Sequence, residues 1–125
     1  MIKALVQSTL DASLYPLGVY SHEQKKTGPD ADEYVVYSLA GDNEEDHADD
    51  DVLVKSGDIT VRYYYRADIL ETSTGRARVR QIETAIENSM KAAGFSLPFG
   101  YFDGGDVDDI GYLVTIFDFE YWRVI

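Results

Sequence analysis

Apolar residues near the N-terminus recur at intervals of three and four positions, a spacing that places them on one stripe of a helix. They are Ile2, Leu5, Val6 and Leu10. The helix is predicted to end at Leu14, because Pro16 disfavours helical geometry at Tyr15, the residue before it. The polar segment 21–32 contains Gly28-Pro29 and predicts a solvent-exposed loop.

Strict alternation of apolar and polar residues predicts a strand from Asp58 to Asp68. One face carries Ile59, Val61, Tyr63 and Tyr65, and the other carries Thr60, Arg62, Tyr64 and Arg66. Segment 33–39, EYVVYSL, is short and rich in β-branched and aromatic residues, which also favours a strand. Segment 111–125 alternates and predicts the longest strand. Segment 95–102, interrupted by Pro98, predicts a weak edge strand, and DGGDVDD after it predicts a turn.

A second helix is predicted from about residue 75 to residue 93. Val79, Ile82, Ile86 and Met90 follow at helical spacing, and Thr72, Ser73 and Thr74 offer N-cap hydroxyls before them. Gly94 stands where a helix commonly ends on a glycine.

Together these elements predict one α+β domain over residues 1–125, with a mainly antiparallel sheet of about four strands, two helices packed on one face and a long acidic loop. The opposite face is predicted to be partly exposed. Its candidate residues are Arg62, Tyr64, Glu120 and Trp122, of which Tyr64 and Trp122 are predicted to face a partner.

Charge is the largest departure from average composition. Eleven Lys and Arg stand against 23 Asp and Glu, a net charge of −12, and residues 42–51 hold seven of the carboxylates. Such a surface repels phosphate backbones and anionic lipid, so we expect neither sequence-specific nucleic-acid binding nor membrane binding. No segment approaches the roughly 20 apolar residues of a membrane span. The chain has no cysteine, which excludes thiol nucleophiles and cysteine zinc sites.

No sequence motif for catalysis or a cofactor is present, so we predict a protein that is not an enzyme and has no cofactor. His22 and His47 lie in predicted loops and indicate surface histidines. One alternative is a small acidic metal-binding or protein-interaction domain that uses Asp49, Asp50, Asp51 and the aspartates of 103–109, although the calcium-loop pattern is lacking. Another is an enzyme with Tyr63 or Tyr65 as an acid in a pocket.

Arg76, Arg78 and Arg80 form the densest positive group and stand at the helix end where carboxylates are preferred. They either pair with the chain's own carboxylates or contact an acidic neighbouring subunit. For the second case the acidic residues at 49–51 would oppose them. Changing all three arginines to Glu is then expected to leave the monomer folded and to prevent assembly.

The order of these segments carries a resemblance to a known family. The relevant segments are the N-terminal helix, LYPLGVYSHE, EYVVYSL, the acidic loop, DITVRYYY, the Arg-rich helix entry and the C-terminal FEYWRVI. In the order and the residue types of these segments the chain resembles the tail completion or tail terminator proteins of long-tailed bacteriophages and prophages. Those proteins are also called head-tail joining or minor tail proteins. The resemblance covers nearly the whole chain.

The resemblance implies a structural role in the virion tail. Proteins of that family have a sheet covered on one face by two helices and form a hexameric ring on the head-proximal end of the tail tube. The implied partners are therefore other copies of the chain, the tail tube protein and the head connector or neck protein. The chain would be made in the cytoplasm of a host bacterium.

Overall fold

The computed structural model describes residues 2–40, 53–107 and 111–124. Within them the chain forms two α-helices, six β-strands and two short 3₁₀ turns. These elements are α1 (Ile2–Leu14), a turn (Tyr15–Leu17), β1 (Ser21–Glu23), β2 (Glu33–Ala40), β3 (Leu53–Arg66), a turn (Ala67–Glu71), α2 (Ser73–Ala92), β4 (Phe95–Ser96), β5 (Tyr101–Val107) and β6 (Tyr112–Val124).

All six strands belong to one mixed sheet with the order β1-β2-β3-β6, and both β4 and β5 pair with the remaining edge of β6. Strand β1 runs parallel to β2, and every other pairing is antiparallel. The predicted α+β class is confirmed, but the number of strands was underestimated. The long acidic loop was predicted within residues 41–52, which lie outside the described residues.

The two additional strands come from segments whose sequence pattern is weak. Strand β1 lies where a loop was predicted, because its three residues are too few for any periodicity and are ordered by backbone pairing with β2. The predicted edge strand 95–102 is divided into β4 and β5. The glycines expected to form a turn instead allow a break in register between Asp103 and Gly105, so that β5 continues to Val107.

Both helices pack their apolar stripes on the same face of the sheet. The core residues contributed by the helices are Ile2, Val6, Leu10 and Leu14 of α1 and Val79, Ile82, Ile86 and Met90 of α2. The sheet contributes Val35, Tyr37, Ile59, Val61, Tyr63, Tyr65, Phe95, Phe117 and Phe119. The alternation predicted for β3 is confirmed, because its odd-numbered residues Ile59 to Tyr65 are buried here.

The limits of α2 follow from its capping residues. The Thr72 hydroxyl accepts a hydrogen bond from the Gly75 amide at 3.0 Å, so the helix begins two residues earlier than predicted. At the other end Gly94 adopts φ = 101°, a left-handed conformation that favours glycine. None of the described helices is long and apolar enough to span a membrane.

Candidate functional site

The sheet face that carries no helix displays a row of three tyrosines, Tyr34, Tyr64 and Tyr112, here called the tyrosine row. Tyr34 and Tyr64 are opposite each other in the ladder between β2 and β3, and their rings stack with centroids 4.9 Å apart. Tyr112 packs edge-on against Tyr34 at 5.8 Å. Such aromatic pairs add about 0.5–1.5 kcal/mol beyond the area they bury. Burial, followed by the two neighbouring tyrosines, raises the pKa of Tyr34.

Two cations border the tyrosine row. The Lys26 ammonium lies 5.6 Å from the centroid of the Tyr34 ring, and the Arg66 guanidinium lies 5.1 Å from that of Tyr112. Arg66 also donates from Nε to Asp32 Oδ1 at 3.2 Å. The Tyr112 hydroxyl donates a hydrogen bond to the backbone carbonyl oxygen of Ala31 at 2.5 Å. The row therefore combines aromatic surface with two neighbouring cations.

The two predicted partner-facing residues lie on this same open face but are not brought together. Tyr64 is half-buried within the tyrosine row, whereas Trp122 near the end of β6 is 42% exposed. The register places Val114 opposite Tyr64, eight residues before Trp122 on β6. At about 3.3 Å per residue the two sites are separated by about 26 Å along the strand. The open face therefore offers two separate patches.

The three arginines at the start of α2 differ in their surroundings. Arg78 donates from Nε to Glu33 Oε1 at 3.2 Å and also binds the Leu17 carbonyl. Glu33 accepts a second hydrogen bond at Oε2 from the buried Tyr63 hydroxyl at 2.5 Å. Arg78, Glu33 and Tyr63 thus form one network between α2, β2 and β3, here called the Arg78 network. This arrangement corresponds to the first of the two sequence alternatives, pairing within the chain.

Arg76 and Arg80 remain on the surface. Arg76 donates to the Leu70 carbonyl at 2.7 Å, and both side chains are exposed. Their role at a subunit interface stays a prediction, whereas Arg78 has partners within the chain. The acidic residues predicted to oppose them, Asp49, Asp50 and Asp51, lie outside the described residues.

Sequence reasoning missed a buried carboxyl group on α2. Glu83 is only 7% exposed and accepts a hydrogen bond from the Thr115 hydroxyl at 2.7 Å. Its pKa is raised, chiefly by burial and also by Asp103. A signal was available, because Glu83 lies next to Ile82 and three residues before Ile86 on the apolar stripe. The glutamate is therefore part of the packed interior between α2 and β6.

A cleft of about 420 Å³ lies beside β1. It is lined by residues that include Asp11, Tyr15, Tyr20, His22 and Tyr34. His22, predicted as a loop residue, is on β1. Burial followed by the nearby Lys26 lowers its pKa, and its Nδ1 accepts a hydrogen bond from the Thr27 amide at 3.4 Å.

The tyrosines proposed as acids in the enzyme alternative do not line this cleft. Tyr63 and Tyr65 lie on the helix-covered face and are buried. Burial, with the hydrogen bond to Glu33, raises the pKa of Tyr63 far above its ordinary value. The higher pKa makes Tyr63 a weaker proton donor than an ordinary tyrosine.

The described residues contain no group of three or more His, Asp or Glu side chains placed to hold a metal ion. Asp103 and Asp106 are exposed on β5, and the two other aspartates of that acidic segment lie at 108–109, outside the described residues.

In comparisons with known proteins, no family model matches the chain and no curated protein is significantly similar to it.

Proposed function

We propose that this chain is a virion structural protein of the phage tail terminator type, which forms a ring, caps the head-proximal end of the tail tube and joins the tail to the head. The proposal combines the resemblance in segment order with one structural observation. That observation is the sheet face that carries the tyrosine row and Trp122 and on which neither described helix packs.

The chemistry of this face suits protein recognition. Tyrosine, tryptophan and arginine dominate the energetics of protein interfaces because they bury a large area and also supply hydrogen bonds. The face presents Tyr34, Tyr64, Tyr112, Trp122 and Arg66. Aromatic side chains that are half-buried, together with the exposed Trp122, are typical of an interaction site on a folded domain.

The first test is the native mass of the purified chain across protein concentration, followed by binding to tail tubes of the phage or prophage that encodes it. A six-copy species, or capture on the tube end, is expected. A monomer at every concentration that also fails to bind tubes would contradict the proposal.

A variant pair tests whether the open face meets a partner. Trp122→Ser removes exposed aromatic surface from the face and is expected to weaken tube or connector binding by about tenfold or more. Glu71→Ser alters an exposed residue in the turn before α2 and serves as the control. Equal binding by the two variants would exclude Trp122 from the partner surface.

A further inference from the structure

The exposed aromatic side chains of the described residues are concentrated at the two edges of the sheet. At one edge Tyr15 and Tyr20 stand beside β1, in edge-to-face contact with ring centroids 5.0 Å apart. At the other edge Phe99, Tyr101 and Phe102 lie on β5 or immediately before it, and Phe99 is 92% exposed. Only Trp122 among the large exposed hydrophobic side chains of this part of the chain lies elsewhere. Two aromatic patches therefore flank opposite ends of one sheet.

Each of these edges is formed by a strand that is paired on one side only. Strand β1 pairs only with β2, and β5 pairs only with β6, within the described residues. An edge strand presents backbone N–H and C=O groups that can pair with another strand. The break in register after Asp103 limits the regular part of β5 to residues 101–103. That stretch has the same length as β1, three residues.

Exposed charged side chains differ between the two edges. Lys25 and Lys26 stand two and three residues after β1, with Asp11 and Asp30 in the cleft beside it, while Asp103 and Asp106 are exposed on β5. Glu23 at the end of β1 lies 4.0 Å from the Lys3 ammonium, so its charge is offset. Attraction between these lysines and the aspartates of β5 favours approach of one copy to the next, although the chain as a whole is strongly acidic.

We propose that β5 of one copy pairs with β1 of the next copy, so that the sheet continues from subunit to subunit. The contact is heterologous, the type of interface that closes into a ring when the rotation returns to its start. Six copies follow only if the proposed function holds, whereas the edge pairing itself rests on the aromatic patches, the free strands and the charges.

The directions of the strands within the sheet determine whether β5 and the neighbouring β1 would pair parallel or antiparallel. Strand β1 runs with β2 and β6, whereas β3 and β5 run in the opposite direction. A sheet that continues in the same sense therefore brings β5 antiparallel to the neighbouring β1, the slightly more stable kind of pairing.

The face that each side chain occupies determines the register. His22 is opposite Val36 on the open face, and Phe102 is opposite Ile116 on that same face. A shift by one residue would place them on different faces, and a shift by two would leave most of these short strands unpaired. The pairing therefore centres on His22 and Phe102.

The absence of cysteine makes this register directly testable. His22→Cys and Phe102→Cys are prepared as separate variants, mixed and oxidised. Opposed residues of antiparallel strands have Cα atoms about 4.5–5.5 Å apart, within the range that a disulfide spans. A covalent dimer that forms in the mixture and in neither variant alone is expected. The double variant should give a ladder of linked copies.

Two controls separate edge pairing from random collision and from misfolding. Glu71→Cys, exposed and away from both edges, replaces His22→Cys in a parallel mixture and should give no specific dimer. Phe102→Ser is expected to weaken self-association by about tenfold or more, whereas Glu71→Ser leaves it unchanged. Melting temperatures verify that both variants are folded.

The outcomes distinguish this inference from the proposed function. Absence of a mixture-specific dimer at the highest soluble concentration, or six-copy rings in which Phe102→Cys never links to His22→Cys, overturns the edge pairing. In the second case the proposed function would stand. A specific ladder from a chain that forms no closed ring and binds no tail tube would support the edge pairing and count against the proposed function.

Discussion

The Arg78 network joins α2 to the sheet, and its removal is predicted to destabilise the monomer. Arg78→Met keeps an apolar stem but removes the guanidinium that binds Glu33 and the Leu17 carbonyl. Among the described residues Glu33 then keeps the hydrogen bond from Tyr63, and its side chain is 15% exposed.

The expected loss of stability depends on the groups that Arg78→Met deprives of a partner. A hydrogen bond to a charged group contributes about 1.5–3 kcal/mol, and breaking a fully buried ion pair costs about 3–5 kcal/mol. The Arg78 side chain is 28% exposed, so solvent screening reduces the cost. We expect a loss of about 2–3 kcal/mol in the free energy of unfolding. For a domain of this length that corresponds to a fall of about 8–12 °C in Tm.

Thermal and urea denaturation of the purified variants measure this loss. Glu33→Gln and the double variant with Arg78→Met complete a cycle in which the coupling energy is expected to be about 1 kcal/mol or more. Arg76→Met and Arg80→Met alter exposed arginines of the same helix and should change stability by less than about 0.5 kcal/mol. If Arg78→Met behaves like these two controls, the Arg78 network does not stabilise the fold.

This prediction also revises an expectation drawn from the sequence. Replacing Arg76, Arg78 and Arg80 with Glu was expected to leave the monomer folded. Arg78→Glu places a carboxylate beside Glu33, so the triple variant is expected to lose stability as well as assembly. A test of the interface should therefore change Arg76 and Arg80 alone.

Two further predictions concern the interior. Burial raises the folded-state pKa of Glu83 above its unfolded value, so the folded state binds the proton more tightly and stability falls as pH rises from about 4.3. Glu83→Gln retains an acceptor for Thr115 and should be more stable at neutral pH, with a flatter pH profile; an unchanged profile would contradict this. A Cβ at Gly75 would lie 1.8 Å from the Ile69 carbonyl oxygen, so Gly75→Ala should cost about 3 kcal/mol in chemical denaturation. Thr74→Ala, at an exposed position, should be nearly neutral, and equal stability of the two variants would refute the argument from close packing.

The elements with a strong local pattern were predictable. In β3, alternation from Ile59 to Arg66 separates a buried face from an open one, and the strand has those faces in the structure. In α2, the stripe from Val79 to Met90 is buried as its spacing requires. Both predictions succeed because the period of a helix or strand is a property of the local backbone.

The candidate sites were less predictable, because the surroundings of each side chain depend on residues that are close in space but distant in sequence. Nothing in the sequence distinguishes Arg78 from Arg76 and Arg80, since all three alternate along one segment. The distinction arises because α2 turns Arg78 towards Glu33 at the start of β2. Glu83 resembles any other helical glutamate until its place on the buried stripe is considered.

The sequence by itself determined the helices, the longer strands, the acidic charge and the alternation that leaves one sheet face polar and aromatic. Only the tertiary structure decided the strand order, the addition of β1, the continuation of β5 past its glycines and the position of two free edges. The physical reason is that periodicity depends on local backbone geometry, whereas strand pairing joins residues far apart in sequence and depends on how the whole core packs.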